Sequence, residues 1–138
     1  MRKMIKDGNA YADNGTGEEM KEQRDEGIES EARKKTPEVN LKTFEDMLEG
    51  KAEGYCIRAK MNMQDKFKCL RDPVFYRCKV DVPHHRHGTK YKAYPTYDFA
   101  CPIVDALEGI THAMRTVEYH DRNDGYHWVQ KVLDLRSV

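Results

Sequence analysis

No apolar run in this chain approaches the roughly 20 residues that a membrane-spanning helix needs, so no membrane partner is expected. Nor is there an excess of charge of either sign. Lys and Arg total 24, Asp and Glu total 24, and the formal net charge is zero. No global field therefore draws in nucleic acid, and contact with RNA would have to come from local basic patches. Cysteine is scarce: the four present are irregularly spaced and make no disulfide framework. With no signal-peptide pattern, they are expected to be reduced thiols of a cytosolic protein. Internal repeats and long low-complexity segments are also lacking. Apolar surface is in short supply, because mean hydropathy is −0.92. Charged residues make up 35% of the chain, above the usual quarter or about 25%. A length of 138 residues suffices for one domain with a core. A chain this hydrophilic is expected either to carry a loosely packed, solvated arm or to borrow core from a partner.

The N-terminal third reads as mostly helical. Met1 to Asp7 suits the tail of a helix ended by Gly8, and Tyr11 follows in a short extended piece. Asp13-Asn14-Gly15 is a turn. Thr16 with Glu19 forms a capping box that opens a helix predicted to reach about Lys34. That helix has few apolar residues, mainly Met20 and Ile28, and is expected to be exposed or partner-bound. After Pro37, Asn40 is expected to cap a shorter helix with Leu41, Phe44, Met47 and Leu48 on one face, closed by Gly50. Strands are predicted at Tyr55 to Met61, at Val74 to Val80 and near Lys92, with Asp72-Pro73 as punctuation. Residues 83–89, rich in histidine, read as a polar loop.

The most informative stretch runs from Tyr94 to Arg122. Thr96 suits the cap of a helix from about Tyr97 to Leu107, with Asp98 near its positive end and Gly109 as its stop. Ile110 to Arg115 alternates apolar and polar, as a strand does. Glu118 or Asp121 opens a second helix ending near Leu133. In an open α/β sheet, ligands bind at the carboxyl ends of such strands, which is where Arg115, Glu118 and Tyr119 would sit. An arginine there needs a carboxylate or phosphate partner. On spacing alone, a structural ion pair is the first reading.

This stretch closely resembles the glutamyl-tRNA synthetases, particularly the cytosolic eukaryotic type. The words that carry the resemblance are Tyr94-Pro95-Thr96-Tyr97-Asp98-Phe99-Ala100-Cys101-Pro102-Ile103-Val104-Asp105, Gly109-Ile110-Thr111-His112-Ala113-Met114-Arg115 and Glu118-Tyr119-His120-Asp121-Arg122. Upstream, Arg71-Asp72-Pro73-Val74-Phe75-Tyr76-Arg77 and Arg58-Ala59-Lys60 match as well, and weaker similarity reaches the N-terminus.

The resemblance implies an α/β fold. It would be part of a nucleotide-binding, Rossmann-like catalytic domain carrying an inserted α+β domain for the tRNA acceptor end. Residues 1–50 would be the helical arm of that insertion, and 51–93 its β-rich remainder. Residues 94–138 would be the second half of the Rossmann-like fold. The implied activity is cytoplasmic, ATP-dependent ligation of glutamate to its tRNA, with Mg2+ accompanying ATP. Tyr97, Arg115 and Cys101 would contact glutamate, although Cys101 departs from the polar residue of bacterial-type relatives. Glu118 and Tyr119 would border the adenosine of ATP and of the tRNA terminus. Arg115 argues for glutamate, because glutaminyl enzymes typically have cysteine there. The partners implied are glutamate, ATP, tRNA(Glu) and the remainder of the synthetase chain.

Zinc is not expected, since His84, His85, His87, Cys69 and Cys78 lack the two close pairs of a zinc finger. Lys34, Lys35, Arg71, Arg77 and Lys79 are candidates for tRNA phosphates. Neither a His-Ile-Gly-His-like sequence nor a Ser-Lys-Arg-like loop is present. An internal fragment without catalytic residues of its own, inactive in isolation, is therefore expected, with residues 1–35 its most mobile part. The alternatives are a fragment of a glutaminyl enzyme and a non-catalytic module that binds RNA or protein.

Overall fold

The computed structural model describes residues 1–79 and 81–138. Among the described residues nine helices and strands follow in order: α1 (Arg2–Lys6), β1 (Ala10–Asp13), α2 (Gly17–Glu26), α3 (Pro37–Leu48), β2 (Cys56–Ala59), β3 (Val74–Cys78), β4 (Ala93–Pro95), α4 (Tyr97–Leu107) and α5 (Asn123–Val132). Short 3-10 turns at Glu31–Lys34, Lys68–Leu70 and Val117–Arg122 link them. The strands form one antiparallel sheet in the order β1-β2-β3-β4. Val80, the last residue of the strand predicted at 74–80, lies outside the described residues.

One core crosses the whole chain. Met4 and Ile5 of α1, Ala12 of β1 and Phe44 and Met47 of α3 pack with Ile57, Phe75, Phe99 and Val129. Phe75 stacks on Phe99 at 5.2 Å, and Phe44 meets Tyr76 edge-on at 5.1 Å. Such aromatic pairs add specificity to the burial of their area. The loosely packed arm expected over residues 1–50 is thus confined to α2, which buries only Met20. The rest of that stretch supplies a strand and two helices to the common core.

The buried side chains of Arg58, Asp13 and Asp72 are paired. Register slips between Ile57 and Arg58. Such a bulge re-aims a side chain, and here the Arg58 side chain is fully buried. Its Nε donates to the Asp72 carbonyl at 2.9 Å, and its Nη1 to Asp13 Oδ2 at 3.0 Å. Asp72 Oδ2 accepts from the Tyr11 hydroxyl and from Arg33 Nε, each at 2.7 Å. Burial drives the Tyr11 pKa well above the ordinary value. Buried charges persist when partnered in this way.

Four predicted elements differ from the structure, the first being the helix expected to open at Glu118 or Asp121: a 3-10 turn covers Val117–Arg122 and α5 starts at Asn123. α2 stops at Glu26 rather than Lys34, because Gly27 adopts φ 69° and the chain turns there. α3 is capped by Thr36 with Pro37 as its first residue. Asn40 instead lies buried inside that helix, where Oδ1 accepts from the Ala12 N–H at 3.2 Å. Finally, Ile110 to Arg115 is not a strand. Gly109 takes φ 73°, and the Ile110 N–H turns back to the Asp105 carbonyl at 3.0 Å. A strand requires a paired neighbour for its N–H and C=O groups. Among the described residues none pairs with this segment, and Met114 is 89% exposed. This segment is therefore not a strand of an open α/β sheet, and the described strands form an antiparallel sheet that ends at β4.

Candidate functional site

α4 and α5 pack together, with Gln130 Nε2 donating to the Pro102 carbonyl at 3.1 Å. The segment from Ile110 to Arg122 loops between them. On α4, Tyr97, Cys101 and Asp105 recur at intervals of four residues, so they share one face. Arg115 reaches back from the loop onto that face. Its Nη2 lies 2.9 Å from Asp105 Oδ2, and Nη1 donates to the Met114 carbonyl at 3.1 Å. The guanidinium sits 5.9 Å from the Tyr97 ring centroid and 5.7 Å from that of Tyr119, within cation–π range. Tyr97 and Tyr119 approach edge-on at 6.4 Å. The Tyr126 hydroxyl donates to Asp105 Oδ2 at 2.7 Å.

The electrostatics follow from this packing. Burial opposes the Arg115 charge, but Tyr97 and the Asp105 carboxylate outweigh it and hold its pKa above the usual arginine value. Burial, with Asp98 adding, pushes the Tyr119 hydroxyl up to about 12. Burial and the bond to Asp105 push Tyr126 up to about 12. The Tyr97 hydroxyl is raised by its hydrogen bond with Cys101 and by burial. The cluster is therefore a fixed cation among neutral phenols. Two of the five N–H donors of Arg115 are engaged, leaving three. The side chain also borders a hollow of about 220 Å³, shared with Thr111, Tyr119, Asn123 and His127.

Of the residues singled out from sequence, Tyr97, Cys101, Arg115 and Tyr119 come together. Glu118 does not join them through any described hydrogen bond. It stays exposed, its pKa lowered by bonds from its own backbone N–H and from Thr116. Asp105 and Tyr126 were not singled out. The four-residue recurrence from Tyr97 could have revealed Asp105, but no local pattern marks Tyr126.

A wider cleft of about 450 Å³ has Tyr97 among its lining residues. Lys21, Arg24, Lys68, Arg77 and Arg122 line it, against Asp25 and Asp98. Lys68 pairs with Asp25 at 2.9 Å and Arg122 with Asp98 at 2.6 Å. Lys21, Arg24 and Arg77 have no carboxylate partner among the described residues. Burial, with Arg58 and Arg77 nearby, lowers the pKa of Arg24. Three of the other cations considered from sequence are placed differently. Arg71 is spent on the carbonyls of Asp65 and Arg24, Lys34 pairs with Glu31, and Lys35 lies 5.5 Å from the Tyr55 ring.

His84, His85 and His87 stack on one another in a turn closed by His84 and Gly88, with ring centroids 4.4 and 5.1 Å from His84. Among the described residues no three His, Cys, Asp or Glu side chains converge so as to hold a metal ion.

Residues 1–138 match the family described as class I tRNA synthetases (E and Q), catalytic domain. The chain belongs to this family. It is 53% identical over 137 residues to a probable cytoplasmic glutamate–tRNA ligase of Schizosaccharomyces pombe, covering 98% of this chain and 19% of that protein. It is 51% identical over 138 residues to the cytoplasmic glutamate–tRNA ligase of Arabidopsis thaliana, covering 99% and 19%. A bifunctional glutamate/proline–tRNA ligase of Drosophila melanogaster is 51% identical over 137 residues, covering 98% and 8%. The chain thus spans about a fifth or less of the length of these relatives. Its fold, mixed helices around a four-stranded antiparallel sheet, is that of a part of the family's catalytic domain.

Proposed function

We propose that this chain is the amino-acid-binding part of a cytoplasmic glutamate–tRNA ligase. The observation that carries the reading is the Arg115 guanidinium, fixed between Tyr97 and Tyr119 with three donors uncommitted beside an open hollow. A planar fork of donors suits a carboxylate, and a charged fork prefers glutamate to its neutral amide, glutamine. The names of relatives near 50% identity support the same choice.

In this reading Arg115 takes the side-chain carboxylate of glutamate, and the Tyr97 hydroxyl, backed by Cys101, orients the substrate. Tyr119, with Glu118 at its side, borders the adenosine. ATP arrives with Mg2+ on its phosphates. The α-carboxylate of glutamate attacks the α-phosphate, giving glutamyl-adenylate and releasing pyrophosphate. The terminal ribose hydroxyl of tRNA(Glu) then takes the glutamyl group and AMP leaves. The contribution of these residues is positioning. Residues 94–138 belong, in this reading, to the second half of a Rossmann-like domain, and residues 1–93 to its acceptor-end insertion. The cleft with Lys21, Arg24 and Arg77 suits the phosphates of the acceptor strand.

The test is Arg115→Ala in the full-length protein. A hydrogen bond to a charged group contributes about 1.5–3 kcal/mol, so kcat/KM for glutamate should fall roughly tenfold or more. The KM for ATP should hold. Unchanged glutamate kinetics would remove Arg115 from the site.

A further inference from the structure

Arg115 stands on a loop without regular structure, whereas Asp105 and Tyr126 stand on two helices packed against each other. Its bond to the Met114 carbonyl ties the guanidinium only to the same loop. Asp105 is the one carboxylate within ion-pair distance of Arg115 among the described residues, at 2.9 Å. The same oxygen accepts the Tyr126 hydroxyl at 2.7 Å, so Asp105 is itself held from α5. The pair is partly exposed, 24% for Arg115 and 18% for Asp105. An ion pair open to solvent adds little to stability. What it does fix is direction, since one edge of the guanidinium is turned to Asp105 and the remaining donors point elsewhere.

We infer that Asp105, braced by Tyr126, is a positioning residue that aims the free donors of Arg115 at the substrate carboxylate. This rests on the assignment of Arg115 given above. Without Asp105, an arginine on this loop would sample several rotamers and meet the substrate in only some of them. The loss should appear in glutamate binding and in discrimination against glutamine. ATP and the tRNA make no use of that alignment.

The experiment uses the full-length protein and four variants: Arg115→Ala, Asp105→Asn, Tyr126→Phe and the double variant R115A/D105N. Pyrophosphate exchange gives kcat and KM for glutamate and for ATP, and thermal unfolding reports structural damage. Asp105→Asn should raise the KM for glutamate roughly tenfold, in line with the cost of misplacing a reacting group, while KM for ATP and the unfolding midpoint hold. Tyr126→Phe, which leaves the carboxylate in place, should move the same parameter in the same direction by less. Added to Arg115→Ala, Asp105→Asn should cost nothing more, because a residue that acts through Arg115 has nothing left to aim. Full additivity in the double variant overturns the inference, as does an unchanged glutamate KM in D105N alongside a raised one in R115A. Unchanged glutamate kinetics in R115A remove the assignment of Arg115, and this inference falls with it.

Discussion

Replacing Arg58 with methionine keeps most of the side-chain length and removes a buried charge. Its bonds to oxygen vanish, to the Asp72 carbonyl, to Asp13 Oδ2 and, at 3.3 Å, to Gln23 Oε1, together with the weak bond to Met63 Sδ at 3.9 Å and the contact with the Tyr11 ring at 5.7 Å. Asp13, with a side chain only 5% exposed, then keeps the Gly15 N–H at 2.9 Å but loses its cation. Breaking a buried pair from one side costs about 3–5 kcal/mol, because the orphaned charge stays buried. The orphaned Asp72 carbonyl belongs to the same loss and is not counted twice. Domains are stable by about 5–15 kcal/mol in total, so the variant should retain a fold with little margin.

For this 138-residue chain the cost corresponds to a fall of roughly 12–20 °C in Tm, at about 4 °C per kcal/mol. In urea the midpoint should drop by about 2 M with an unchanged slope, taking m near 2 kcal/mol/M. The control is the double variant Asp13→Asn with Arg58→Met. If the pair is the origin of the effect, the double variant loses clearly less than the sum of the single ones. A cost below about 1 kcal/mol for Arg58→Met, or strict additivity, would refute the argument, since neighbours that share a buried bond must couple.

Other outcomes follow from the same contacts. The bonds from Gly15 and Arg58 outweigh burial and hold the Asp13 pKa below the usual carboxylate value. A depressed folded pKa contributes stability that is complete above the unfolded value of about 3.9 and is lost as pH falls through the folded one. Asp13→Asn should therefore flatten the acid limb of stability against pH; an acid limb identical to that of the parent chain counts against this account. In amide exchange, α2 should exchange fastest among the helices because it buries only Met20, while β1 and α3 should be protected by the common core. Faster exchange in β1 than in α2 contradicts the packing described. If the cleft takes RNA phosphates, Arg77→Ala in the full-length protein should weaken tRNA binding at low salt and reduce the slope of log K against log salt by about 1. An unchanged slope excludes Arg77 from phosphate contact.

The local chemistry of this chain was readable because it is written in neighbouring residues. The capping box of Thr16 and Glu19 forms with both bonds, 3.1 and 3.0 Å. α4 spans the predicted Tyr97 to Leu107 and ends just before Gly109, where the chain reverses. What failed depended on distant partners. Ile110 to Arg115 has the alternation of a strand, yet pairing is a property of two segments, and no second one meets it among the described residues. Asn40 has the composition of a cap, but its side chain is drawn inward by the Ala12 N–H, 28 residues away. The N-terminal stretch supplies core although α2 within it has few apolar residues. Met4, Ile5, Phe44 and Met47 are few but almost fully buried, and burial is what counts. For the site, resemblance marked Tyr97, Cys101, Arg115 and Tyr119, while the brace of Asp105 and Tyr126 emerged only when α4 met α5.

Tyr97 joins two regions of different character. Its ring lies against Arg115, and the residue also lines the basic cleft. It is 59% exposed, so the packing it provides to the core is slight. An exposed tyrosine held at the first turn of a helix is free for another use: it touches the Arg115 cluster with its ring and borders the basic cleft as well. In the Arg115 cluster Tyr119 also packs on the guanidinium, and the cluster carries one cation. In the cleft Lys21, Arg24 and Arg77 are spread along an open surface. A single directed fork suits one carboxylate, whereas spread cations suit a chain of phosphates whose register can vary. In the proposed reaction the amino acid and the RNA end must meet at one bond, and a residue in contact with both regions suits that adjacency.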